Sequence, residues 1–273
     1  SITVEDTASF WDAGEFIAVS SKLEVPHPPG APFYLLLGRF FSFFSFGDPE
    51  KIAIAINFLS VVSSAFTILF LFWTITHLTS KIIKTDTFNN ILLVLISGLT
   101  GALTFTFTDS FWFSAVEAEV YAMSSFFTAF VFWAILRWES SENNKIQNRW
   151  IILIAYMMGL SIGVHLLNLV AIPALALIIY FKKTKNISLI GLTFSLGLGL
   201  ILVGFIVEGI IPGLPSIASF IERLFVNSFG LPFGSGIIFF ILFFILSLAY
   251  SVWYSQKKKK EILNTSLLAF TFI

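Results

Sequence analysis

Four short clusters hold most of the side chains in this sequence that are able to do chemistry. The first is Trp11-Asp12-Ala13-Gly14-Glu15-Phe16. On a helix Asp12 and Glu15 are three apart and share a face, and Asp6 or Thr7 is placed to cap that helix. Two carboxylates among Phe10, Trp11 and Phe16 repel each other and lose solvent. Both effects raise at least one pKa towards the range of a general base. The same spacing also suits an exposed amphipathic helix whose acids face water. The second cluster is His27-Pro28-Pro29-Gly30-Ala31-Pro32. Its prolines fix φ and remove backbone donors, and Gly30 permits a sharp turn. Such a rigid loop suits holding a ligand, with His27 either binding a phosphate, orienting a carboxylate or simply bonding the loop.

The third cluster runs from Asp109 to Tyr121 and includes Trp112, Glu117 and Glu119. Glu117 and Glu119 are two apart, so on a helix one faces a site and the other solvent. Glu119, nearer the membrane and followed by Tyr121, is the one expected to face inward, where a carboxylate needs a partner or a wet cavity. It also fits as a plain interfacial charge. Trp112 fits an interface-belt aromatic or a sugar-stacking surface. The fourth cluster is Gly163-Val164-His165-Leu166-Leu167-Asn168. His165 and Asn168 either satisfy a tight turn or meet a lipid phosphate. A phosphate leaving group also needs positive charge nearby, and the outer-side arginines Arg39 and Arg223 are candidates for it.

Long apolar runs must position these clusters. The chain has 273 residues, 57% of them hydrophobic and only 12% charged, about half the charged share of a soluble domain. The fold class expected is an all-α polytopic membrane protein. Runs able to span occur at 52–77, 91–108, 120–136, 187–207 and 237–254, and another starts at Ile262. Residues 150–181 are too many for one straight helix and few for two. Gly159, Gly163, His165, Asn168 and Pro173 interrupt them, so they read as a helical hairpin turning near His165–Asn168. That gives about seven complete spans and part of an eighth. Residues 1–51 form an outer loop with juxtamembrane helices at Thr7–Ser21 and Pro32–Phe46, and residues 52–273 form the transmembrane bundle. The start at Ser1 and the stop inside an apolar run suggest a fragment.

Charge supports the hairpin. With residues 1–51 outside, twelve of the sixteen Lys and Arg fall in inner loops, including Lys81, Arg149, Lys183 and Lys257–Lys260, as the positive-inside bias requires. A single span over 150–181 would put Lys182–Lys185 outside. Zero net charge gives no sign of a nucleic-acid partner. The chain lacks cysteine and so has no thiol nucleophile, disulfide or zinc–thiolate site. Phosphate-binding Gly-rich loops, His-Glu-x-x-His, serine-hydrolase elbows and Asp-rich metal motifs are absent as well. Neither metal nor cofactor is expected. A transporter would gather polar residues near the midplane. Here they gather at the outer rim, which favours an interfacial enzyme over a transporter or a non-catalytic lipid-binding scaffold.

In this order, the four clusters resemble one bacterial membrane family, the protein O-mannosyltransferase-like proteins of the glycosyltransferase-C superfamily, related to the human transmembrane O-mannosyltransferase. The resemblance starts at Phe10 and covers the chain to about Pro173. It implies a glycosyltransferase-C-like helical bundle, a first span before Ser1 and a large outer loop carrying a catalytic aspartate. Asp12 stands at the matching position, with Glu15 beside it. It further implies a polyprenyl-phosphate-linked sugar donor, an exported protein acceptor and a bacterial inner membrane with the site facing the periplasm. The reaction expected is a metal-independent, inverting transfer with Asp12 as general base. The lipid phosphate would lie near His27, His165 and Arg39, while Glu15 or Glu119 orients the acceptor or sugar.

Overall fold

The computed structural model describes residues 3–8 and 11–271. Ser9 and Phe10, at the start of the first motif, lie outside the described residues. Among the described residues the chain is helical throughout, without strands, as backbone groups in lipid require for an open chain. Six helical segments are long and apolar enough to cross a membrane: Pro49–Ile82, Phe88–Thr106, Val120–Ser140, Leu166–Lys183, Leu189–Ser228 and Ser235–Lys257. The protein is a multi-pass membrane protein.

The chain divides into two compact units. One comprises Ser1–Asn143 and Met157–Leu169, the other Asn144–Tyr156 and Val170–Ile273. The first contains α1 (Ala13–Lys22), α2 (Pro32–Ser42), α3 (Ile52–Ile82), α4 (Phe88–Thr106), α5 (Asp109–Val116), α6 (Val120–Ser140) and the end of α7 (Asn144–Ile162). Helix α3 packs on both α4 and α6. Its start is prepared by Asp48, whose side chain accepts from the Glu50 amide at 3.1 Å ahead of Pro49, a residue suited to a first helical turn. The core of this unit joins Phe16 and Val19 of α1, Tyr34 and Leu35 of α2, and Leu59 of α3 to Val120, Met123 and Phe127 of α6. Val164 of the turn after α7 completes it. The apolar core therefore lies directly beneath the first two clusters.

Residues 150–181, expected as a hairpin, fold as α7, a break at Gly163–His165, a 3₁₀ turn at Leu166–Val170 and then α8 (Ala171–Lys183). The second unit adds α9 (Leu189–Gly204), α10 (Ile211–Arg223), α11 (Ser235–Lys257) and α12 (Glu261–Thr271). Helix α9 lies on α8 so closely that a Cβ on Gly199 would come within 2.7 Å of Pro173 Cα. Ser195 Oγ donates to the Ala176 carbonyl across that contact at 2.9 Å. At the other end, Glu222 of α10 accepts from the Gly234 and Ile237 amides at 2.6 and 2.9 Å, capping the start of α11.

Three sequence expectations change. The first juxtamembrane helix begins at Ala13, not Thr7, and Asp12 occupies its N-cap. The outer segment expected after Val207 continues as helix to Ser228 through π-helical turns at Phe205–Ile210 and Leu224–Ser228. Pro212 and Pro215 follow the first of these π-helical turns inside the continuous segment, and prolines and π-turns are both recognised sites of helix irregularity. The third cluster, expected over 109–121 as the outer loop between two spans, contains α5, a two-turn helix, and the start of α6.

Candidate active site

The path into the first cluster is held by a side chain from a membrane-spanning helix. Asn57 of α3 is fully buried. Its Nδ2 donates to the carbonyls of Glu5 and Thr7 at 2.6 and 3.3 Å, and the Glu5 amide donates to the Val116 carbonyl at 3.0 Å. Thr7 Oγ1 turns to Glu5, so neither Asp6 nor Thr7 caps α1. Trp11 then adopts a left-handed backbone with φ 60°, a conformation that costs a bulky residue energy and recurs at functional sites. Its side chain is 89% exposed. Asp12 takes the N-cap position without making a side-chain cap bond. Its carboxylate is therefore not used to hold the helix and stays half-exposed at the rim.

Glu15 does not crowd Asp12. Both of its oxygens are committed to His27: Oε1 accepts from the His27 amide at 2.7 Å, and Oε2 lies 2.8 Å from Nδ1. His27 Nε2 faces Asp12 Oδ2 at 3.8 Å. The order is thus Glu15, imidazole, Asp12. The hydrogen bond to the His27 ring, reinforced by the backbone bond, lowers the Glu15 pKa, and the same contact raises that of His27. The expectation that a like-charge pair raises a carboxylate pKa therefore fails for Glu15, because a histidine brought by the second cluster neutralises it.

The second cluster is held from two sides. Gly30, at φ 81°, donates to the His27 carbonyl at 3.0 Å, closing the Pro-rich loop. The amides of Phe33 and Tyr34 at the start of α2 donate to the Gly163 carbonyl at 2.8 and 3.3 Å. A Cβ on Gly163 would approach Phe33 Cβ to 2.9 Å. The fourth cluster thus supplies the backbone cap for the helix that follows the second.

Glu117 and Glu119 are both extended between α5 and α6 and both only 5% exposed. The solvent-facing role expected for Glu117 is overturned, because period-2 backbone turns both side chains into the same packed junction. Burial first, then the charges of Asp12 and Glu117, push the Glu119 pKa up to about 7, against hydrogen bonds from the Asp12 and Val120 backbone. The carboxylate poised near neutrality is Glu119, and it sits behind Asp12 in the cluster.

His165 Nδ1 accepts from the Leu167 amide at 3.1 Å, and its ring lies 5.5 Å from that of Tyr121. Burial lowers its pKa. It is therefore a neutral imidazole whose Nε2 carries the proton, a hydrogen-bond donor without charge. Asn168 is 3% exposed. Its Oδ1 accepts from Ser124 and Thr128 of α6, both at 2.9 Å, which ties the hairpin turn to α6.

Two other expected residues of this unit have partners outside this cluster. Arg39 donates to the Ser21 carbonyl, closing the end of α1, and lies over the Phe43 ring at 4.9 Å. Trp112 stacks on Phe107 at 5.8 Å and lines an apolar cavity of about 210 Å³ with Val61 and Ile68. Arg223 lies in the other unit, at the end of α10. Asn57 was missed, although a lone amide inside an apolar run is costly unless it has a task. Among the described residues, one ligand atom each from Asp12, Glu15 and His27 lies within 4.8 Å of the others. A divalent cation would fit that spacing only if Glu15 gave up its bonds to His27.

Residues 12–188 match the family described as the protein O-mannosyl-transferase TMEM260 N-terminal domain. The match opens on Asp12 and includes all four clusters from there on. A protein O-mannosyl-transferase tmem260 of Dictyostelium discoideum is 28% identical over 134 residues, 47% of this chain and 14% of that protein. Protein O-mannosyl-transferase TMEM260 of Mus musculus is 27% identical over 195 residues, 68% of this chain and 26% of that protein. The chain thus spans about a quarter or less of the length of these relatives. No solved structure matches.

Proposed function

Because the chain belongs to the family of the protein O-mannosyl-transferase TMEM260 N-terminal domain, we propose that it is the catalytic membrane part of a protein glycosyltransferase. It moves a mannose-like sugar from a polyprenyl-phosphate donor to a Ser or Thr hydroxyl of an exported protein. The site faces the outer side, which in a bacterium is the periplasm. The reading is supported above all by the cluster of Asp12, Glu15, His27 and Glu119, in which Glu119 comes from a segment far along the chain from the other three.

In this mechanism Asp12 accepts the proton of the acceptor hydroxyl as its oxygen attacks the anomeric carbon. A new carbon–oxygen bond forms there. The bond to the lipid phosphate breaks, and its electron pair leaves with the phosphate, inverting the centre. Glu15 keeps His27 protonated and aimed, so the imidazolium offers positive charge to the departing phosphate. Glu119 fixes the Asp12 backbone. His165 offers an uncharged Nε2–H to the donor. Arg39 and Asn168 serve the packing that holds these groups.

The test is reconstitution of the full-length protein with a polyprenyl-phosphate sugar and a Ser/Thr-containing peptide, followed by mass spectrometry. A hexose on the hydroxyl, lost with Asp12→Asn, is the expected result. Exported proteins from cells with and without the gene should differ by the same modification. A protein that transports or binds the lipid-linked sugar and modifies nothing would refute the reading.

A further inference from the structure

A cavity lies within the second unit, lined by none of the residues of the Asp12 cluster. Its volume is about 690 Å³. Four cationic side chains from two separate segments line it: Lys145 and Arg149 at the start of α7, and Lys259 and Lys260 in the turn between α11 and α12. Glu261 is the single acid in that lining. The rest of the wall is of another kind, with Ile152, Ile262 and Leu263 forming an apolar side.

Both cationic segments sit where an apolar run meets water. Lys145 and Arg149 precede the apolar stretch that starts at Trp150, and Lys259 and Lys260 follow the one that ends at Tyr254. The charge balance of the loops puts both on the inner face. The α11 end carries the aromatic groups of a headgroup zone: the Lys257 ammonium lies 4.7 Å from the Trp253 ring centre, and that of Lys260 5.4 Å from the Tyr254 ring. A run of lysines that only sets topology needs neither a cavity nor two basic residues from another helix.

We infer that this cavity is a binding site for the phosphate headgroup of an anionic diacyl lipid from the inner leaflet. Lys145, Arg149, Lys259 and Lys260 receive the phosphate. The acyl chains run along Ile152, Ile262 and Leu263. Basic pockets between helices on the inner face are suited to this chemistry. The apolar side separates the lipid from free phosphate, which would gain nothing from it.

The test uses the full-length protein in nanodiscs of phosphatidylcholine with or without phosphatidylglycerol, with native mass spectrometry to count retained lipid after transfer to detergent. Lys259→Gln with Lys260→Gln should lower retained phosphatidylglycerol by on the order of thirtyfold, the effect of two basic residues near an anionic headgroup. Arg149→Gln alone should lower it by about fivefold. The pair Lys182→Gln and Lys183→Gln, an equal charge change at the end of α8, should leave it unaltered. Equal losses from both pairs would reduce the effect to general surface charge and overturn the site. Full retention in the Lys259/Lys260 variant would do the same, as expected if another part of the full chain fills the cavity. Displacement by excess inorganic phosphate would overturn the lipid assignment.

Discussion

At the scale of single residues, the cluster separates groups that look equivalent in the sequence. Asp12 and Glu15 are both acids at the start of α1, yet only Glu15 has its oxygens occupied. Asp12→Asn keeps shape and hydrogen bonding but cannot take a proton at neutral pH. General-base catalysis contributes about 10²–10⁴-fold, so transfer should fall at least about a hundredfold while donor binding persists; two active variants at Asp12 and Glu15 would remove the pair from the mechanism. The pH profile separates their roles. His27 has a raised pKa chiefly through its bond to Glu15, so its charged form persists to higher pH than that of an unpaired histidine. Glu15→Gln removes that support, and the alkaline limb of kcat/KM should move to lower pH. An unmoved limb would show that the His27 charge is not used.

Glu119 offers a stability test. Its pKa is raised from 4.5 to about 7, so the folded protein binds more protons than the unfolded chain between those values. Stability from this group is present below about 4.5 and is lost as pH rises through about 7. Glu119→Gln should flatten that decline, as read from thermal melting in detergent across this window. An identical slope in the variant would remove Glu119 as its source.

At the scale of elements, the hairpin turn acts on the site through its backbone. The Gly163 carbonyl caps α2, and a methyl group at Gly163 would press on Phe33. Gly163→Ala should cost about 1–3 kcal/mol, the range for overpacking a filled contact, and should loosen the Pro-rich loop that carries His27. Asn168→Ala leaves the hydroxyls of Ser124 and Thr128 without their acceptor, a loss of about 1–3 kcal/mol. The expected signature is a lower melting temperature with an unchanged KM for the donor. A raised KM at full stability would return Asn168 to the donor site. His165→Ala should show the opposite pattern, because only its backbone-accepting Nδ1 is engaged by the turn.

At the scale of the whole molecule, topology is the test. Reporters fused after Lys84, Asn144, Lys185 and Lys260 should read the inner side, and those near Ser45, Ser114 and Ser228 the outer side. Opposite readings at Asn144 and Lys185 would dissolve the hairpin. The 40-residue helical segment Leu189–Ser228 is about 60 Å long at 1.5 Å per residue, about twice the bilayer core. One crossing therefore uses only part of it, and the π-helical turns and prolines fall in the remainder. Helices α9 and α11 keep most of their apolar side chains at the surface, which a lipid solvent permits and water does not.

Hydropathy and loop charge are local, additive signals, and they were enough for the helical membrane class. The same local reading placed Pro32–Phe46 at the interface, where α2 and a 3₁₀ turn now stand. It could not rank the carboxylates. The ionisation of Glu15 is set by His27, twelve residues on, and that of Glu119 by burial and by Asp12 from the far side of α3 to α5 in sequence. Desolvation and Coulomb energy depend on distances through space that spacing along the chain does not encode. For the same reason Asn57, an unremarked amide in an apolar run, emerged as the residue that holds the approach to Asp12. Arg39, attractive as the lone cation of its helix, is held instead by the Ser21 carbonyl. Periodicity determined which segments are helices; only tertiary packing decided which polar atoms are already satisfied and which remain for a substrate.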